Sequence, residues 1–231
     1  QFLRSLEPAE RLSFAKTISS KRLLTRYIGS IQNTPGAETF LIGLTSDADR
    51  QVANAAVSQL GNMPSSETVK STLHKIFDSD TNDLIRQNAV RSLLRMTNDT
   101  KLADALWKMP SYNDGFRQIA LDWYAGNNHD SARALCLDIL KNPPSEPVRV
   151  SAIRHLGTMK DRAGERKVYD ALANIVKNEP SFGARTAAIG SLAAYGDKAA
   201  IPILRPFLKS SLVFFRQSSR RAMQQLGGNV D

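Results

Sequence analysis

The chain has 231 residues, 42% hydrophobic but only 7% aromatic, and a formal charge of +9 at neutral pH. Its single cysteine, Cys136, excludes an internal disulfide, no apolar run is long enough to span a bilayer, and β-branched alternation is nearly absent, so no sheet is expected. The basic excess favours acidic partners: nucleic acid, an anionic surface or an acidic protein.

Residues 1–30 read as a degenerate first unit. Glu7-Pro8-Ala9-Glu10 starts a helix, with Pro8 suited to the first turn, and residues 21–28 make a second one. The next unit carries Phe40, Leu41 and Leu44 on its first helix, starts its second near Asp47, and stops at Gly61-Asn62-Met63-Pro64. A third starts at Ser66, with its second helix over residues 80–96. A fourth runs from Asp99 through Trp107, turns at Pro110 and resumes over 114–125. A fifth starts near His129 and passes through the Asn142-Pro143-Pro144-Ser145 loop into a helix at Val148. A sixth spans 161–195, and a seventh begins at Gly196 and ends at Gly227-Gly228.

The second helices share one pattern. In Val148 to Gly157, Ala152, Ile153 and Leu156 share a face behind Arg149. Arg86-Ala89-Val90-Leu93, Arg117-Ala120-Leu121-Tyr124 and Arg185-Ala188-Ile189-Leu192 repeat it, and Ala56-Val57-Leu60 and Ala222-Met223-Leu226 repeat it without the arginine. The closing residues 60, 93, 124, 156, 192 and 226 are separated by 33, 31, 32, 36 and 34 positions. A period of this length marks an array of helical hairpins that bury their apolar faces by stacking.

These units resemble HEAT repeats, especially the short bacterial, phycobilisome-lyase type. Residues 197–208 are similar to the first helix of such a repeat, and Val148 to Gly157 to the second. The expected fold is all-α, a right-handed superhelix of about seven hairpins. It forms one domain over 1–231, with a capping repeat at 1–30, six clearer repeats at 31–227 and a tail at 228–231. The resemblance further implies first helices on the convex side and second helices lining the concave side. The chain begins at Gln1 rather than Met, as expected of an excised domain or a processed product.

No zinc-protease helix motif, phosphate loop or dinucleotide turn occurs in the sequence, so no catalytic residue, metal ligand or cofactor is assigned and the chain is not expected to be an enzyme. The register arginines Arg86, Arg117, Arg149 and Arg185 follow Asp83, Asp114, Glu146 and Glu179, and are expected to tie these carboxylates and loop carbonyls between units. Positions two and three after each register alanine are expected to face the concave surface: Ser58, Arg91, Asp122, Arg154, Gly190 and Gln224, then Gln59, Ser92, Trp123, His155, Ser191 and Gln225. Arg91, Asp122 and Arg154 alternate in sign and could form an inter-repeat ladder.

The leading expectation is a non-catalytic protein-binding or scaffolding module that holds a protein or peptide segment on Arg91, Trp123, Arg154 and His155, with Trp123 as anchor. Two alternatives remain. One, implied by the resemblance, is an inert accessory domain that follows the catalytic domain of a zinc aminopeptidase. The other is weak nucleic-acid binding through a basic patch of Arg22, Arg26, Arg95, Arg220 and Arg221.

Overall fold

A computed structural model describes residues 6–32, 34–110, 114–127, 129–161 and 163–230, without the side chains of Pro8, Ala9 and His129. The described residues hold α-helices and short 3-10 segments and no strand, as the sequence predicts. They form two compact units, residues 1–102 and 103–231, each with its own apolar core.

The first unit contains α1 (Pro8–Thr17), α2 (Lys21–Tyr27), α3 (Ala37–Leu44), α4 (Arg50–Leu60), α5 (Glu67–Ser79) and α6 (Asp83–Thr97), and α7 (Thr100–Lys108) crosses the boundary. The second contains α8 (Gly115–Asn127), α9 (His129–Lys141), α10 (Glu146–Thr158), α11 (Lys167–Asn178), α12 (Phe182–Tyr195), α13 (Ile201–Leu204) and α14 (Val213–Gln225). Polar residues before the helices accept their free first-turn amides: Ser20, Asp49, Ser66, Asn82, Ser145 and Ser181 each take at least one. The first helix of the last hairpin is not the continuous 197–208 helix that the resemblance implies. Pro202 and Pro206 lie in a broken path, with 3-10 turns at Lys198–Ala200 and Arg205–Lys209 on either side of the four-residue α13.

The register residues are buried as the period requires. Ala56, Ala89, Ala120, Ala152 and Ala188 are fully buried, and so are Leu60, Leu93, Leu156 and Leu192. Second helices pack on second helices: α4 on α6 in the first unit, and α8, α10, α12 and α14 in succession in the second. Two close approaches fix their spacing. A methyl group on Gly61 would meet the Ser92 side chain at 2.1 Å, and one on Gly157 would meet the Ser191 backbone at 2.7 Å. Gly61 therefore has a role other than the helix stop expected from its place before Pro64. Its φ of -65° is one that any residue adopts, and contact with the next helix is what demands its small size.

Candidate partner-binding surface

The seam contacts revise the reading of the second row. Ser92 and Ser191 are buried against the preceding second helix instead of being open to solvent. Gln225 is exposed, although its Nε2 donates to the Ala193 carbonyl at 3.2 Å. His155 and Trp123 stand at the same register position and are half-buried. His155 Nε2 lies 2.8 Å from Asp122 Oδ1, so within the second unit the carboxylate of α8 is taken by His155 and not by Arg154. The Trp123 ring stands edge-on to Tyr124 at 5.4 Å, and its indole N–H is shut off from solvent without a partner. Tyr124 donates its hydroxyl to Asp104, and burial together with that bond pushes its pKa up.

The first row is exposed, as expected for Arg91, Asp122, Arg154, Gly190 and Gln224. Arg91 lies on α6 of the first unit, and Arg154 on α10 of the second. The proposed basic residues are likewise divided: Arg22, Arg26 and Arg95 in the first unit, Arg220 and Arg221 on α14 in the second, all exposed. Arg95 is already engaged, donating to Asn62 Oδ1 at 3.0 Å.

The charge ladder lies elsewhere than expected, just before α4, α6 and α12. Asp47, Asp80 and Glu179 each stand thirteen residues before a closing leucine. Each accepts the amide two residues on, from Asp49, Asn82 and Ser181. Each also accepts from a cation of the preceding second helix: Lys21 to Asp47 at 2.5 Å, Arg50 to Asp80 at 3.4 Å and Arg149 to Glu179 at 2.5 Å. The partner of Arg149 is thus Glu179 rather than Glu146, which instead accepts from the Ser181 hydroxyl of the next repeat. The Arg149 guanidinium holds the Glu179 carboxyl below its ordinary range, although burial opposes the shift. Arg86 and Arg117 turn back onto Asp83 and Asp114 of their own hairpins, and Arg86 Nε also donates to the Phe77 carbonyl at 2.8 Å.

One open groove runs along α12. Its volume is about 480 Å³, and it is lined by Arg154 from α10 and by Phe182, Gly183, Thr186, Ala187, Gly190, Ser191 and Ala194. Nothing stands within 4 Å of a methyl group built on Gly190. The apolar side chains of Phe182 at the start of α12 and of Leu212, Val213 and Phe214 at the start of α14 are exposed, with Phe214 at 66%. Phe182 and Phe214 meet edge to face at 5.8 Å. The sequence reading missed this cluster, although a signal was present. Ten residues before the closing residue the other repeats carry Arg50, Asp83, Asp114, Glu146 and Arg216, and only this one carries Phe182. Cys136 is fully buried, and burial pushes its thiol up to about 12.

No helix among the described residues is long and apolar enough to cross a membrane. No curated protein sequence matches this one. Solved structures to which the chain is similar include three helical proteins. Escherichia coli YibA aligns with a TM-score of 0.60 at 15% identity over 98% of this chain and 84% of that one. The complex of CpcE and CpcF of phycocyanin lyase from Nostoc gives 0.49 at 17% identity, over 96% and 94%. Human deoxyhypusine hydroxylase in complex with glycerol gives 0.45 at 16% identity, over 98% and 88%. None of the three is named as an aminopeptidase. The last two, which are named as a lyase and a hydroxylase, correct the expectation that the chain is not an enzyme. The HEAT-repeat family profile matches residues 22–125 and 128–224, and the chain belongs to the HEAT-repeat family.

Proposed function

We propose that the chain is a repeat scaffold whose second unit holds a protein segment in the groove along α12, with Arg154 on the groove wall. The observation that carries this reading is Gly190. A glycine inside a helix destabilises it by about 0.5–1 kcal/mol relative to alanine, and here no packing contact requires it. With Gly183, Ala187, Ser191 and Ala194 it leaves the helix surface bare, which lets a partner backbone or helix approach closely. Trp123 and His155 present only part of their surfaces at the neighbouring seam, where they can supply contact area beside Arg154. Arg91 would serve the first unit separately.

The test is peptide display on the immobilised chain, followed by titration of the selected peptides against Gly190→Leu and Arg154→Glu. Gly190→Leu fills the groove without touching the fold, and should abolish binding of most selected peptides. Arg154→Glu should weaken those that carry acidic residues. Selected peptides that bind both variants as well as the parent chain would refute the groove.

A further inference from the structure

Among the described residues, one register cation of the ladder has no ion-paired carboxylate. In the first unit Lys21 reaches forward to Asp47, and in the second Arg149 reaches forward to Glu179. Arg86 and Arg117 turn back to Asp83 and Asp114. Arg185 holds the same register position on α12. Its forward position, thirteen residues before Leu226, is Val213, and its backward position, three residues upstream, is Phe182. Both are apolar. Glu179 attracts Arg185 at longer range, but its oxygens are committed to Arg149 and to the Ser181 amide. Arg185 Nε is shut off from solvent and donates to nothing, while the guanidinium lies over the Phe215 ring, 5.8 Å from its centre.

The local build explains why the rung is unfilled. Helix α14 begins at Val213, three register positions earlier than α4, α6 and α12 begin. The loop before it is held by Arg216, whose Nη1 donates to the carbonyls of Ser210 and Ser211 at 2.6 and 2.9 Å. No acidic loop residue is left to turn toward Arg185. Phe215, under the cation, meets the exposed Phe182 at 5.1 Å, and Phe182 in turn meets the exposed Phe214; Leu212 and Val213, next in the chain, are exposed as well. The charge is one-sided: α10, α12 and α14 together carry Arg149, Arg154, Arg185, Arg216, Arg220 and Arg221 against the single acid Glu146, which is bonded to Ser181.

We infer that the missing carboxylate comes from a partner. The end of the α12 groove would bind an acidic peptide segment, in which an aspartate or glutamate pairs with Arg185 while a neighbouring apolar side chain covers Phe182 and Phe214. A cation already desolvated at Nε and packed on the Phe215 ring pays little further ordering when a carboxylate arrives, and a charge-assisted bond is the strong kind. Exposed aromatic rings beside an arginine form the usual composition of a binding hot spot. The inference rests on the groove reading, because Phe182 lines both, and it names the chemistry of the segment the groove would take.

Two measurements on the full chain test it. The first is fluorescence polarisation with a labelled, end-blocked peptide, Gly-Ser-Glu-Phe-Leu-Glu-Ser-Gly, and its counterpart with glutamine at both acidic positions. The acidic peptide should bind at least tenfold more tightly than the glutamine one. Arg185→Gln and, independently, Phe214→Ala should each lower its affinity about tenfold or more. Phe214 is largely exposed, so its variant reports on binding even if Arg185→Gln weakens the fold. The second is the Arg185 Nε–H resonance of the unmutated chain, which should move on titration with the acidic peptide and stay fixed with the other. Equal affinity for the two peptides, or an unmoved resonance, overturns the inference. Display peptides that lose binding on Gly190→Leu yet ignore Arg185→Gln would also overturn it, and would leave the groove reading standing.

Discussion

A methyl group on Gly157 would stand 2.7 Å from the Ser191 Cα, closer than packed atoms approach, so Gly157→Ala must push α10 from α12. The expected loss is about 1–3 kcal/mol, as for other overpacked cores, and urea unfolding measures it. Gly190→Ala should do the reverse. Its methyl group meets open space, and the helix should gain about 0.5–1 kcal/mol. Similar changes at both sites would show that the seam and the groove have been confused. Trp123 gives a second residue-scale expectation. Trp123→Ala should lose about 3 kcal/mol through its half-buried ring, whereas Trp123→Phe, which removes an indole N–H buried without a partner, should stay within about 1 kcal/mol of the parent in thermal melts. Composition and spacing could place these residues in the repeat. Register separates Gly190 from Gly61 and Gly157, which both follow a closing leucine, but only the neighbouring helix shows that the latter two are confined.

At the scale of helices, the period made six hairpins legible because their second helices carry a buried alanine and, except where Tyr124 stands, a buried leucine at the same interval. The ladder was less legible. Arg149 follows Glu146 by three residues, a spacing that suggests a pair within the helix, yet it reaches 30 residues ahead to Glu179. Short-range spacing says nothing of which helix packs alongside. The Arg149–Glu179 rung is largely covered, with side-chain exposures of 17% and 10%, so Glu179→Gln should cost about 1–3 kcal/mol near neutral pH. Its pH dependence has a definite sign. A carboxyl whose folded pKa lies below its unfolded value adds stability that is fully present above the ordinary glutamate value of 4.5 and is lost as pH falls through the lowered one. The advantage of the parent chain over Glu179→Gln should therefore shrink as pH is lowered from about 6 to about 3. A difference constant across that range would mean that the rung is not ionic.

Over the whole molecule the charge is spread unequally: thirteen basic against ten acidic residues in 1–102, and eighteen against twelve in 103–231. A surplus of this size attracts any polyanion, and association with duplex DNA is expected at low salt. Such binding rests on counterion release, so its affinity falls steeply and linearly on a logarithmic scale as salt rises. Several of the arginines are already spent on the fold. Arg86, Arg95, Arg117 and Arg149 hold protein acceptors, and the exposed Arg22, Arg26, Arg91, Arg154, Arg220 and Arg221 are divided between the two units. Binding should therefore be independent of sequence and vanish near physiological salt, while the acidic peptide, held partly by apolar contact at Phe182 and Phe214, should retain most of its affinity there. Titrating both ligands over a salt series separates the two kinds of partner. DNA affinity that persists at about 150 mM salt and disappears on Arg220→Glu with Arg221→Glu would place a nucleic acid, and not a protein segment, on the second unit.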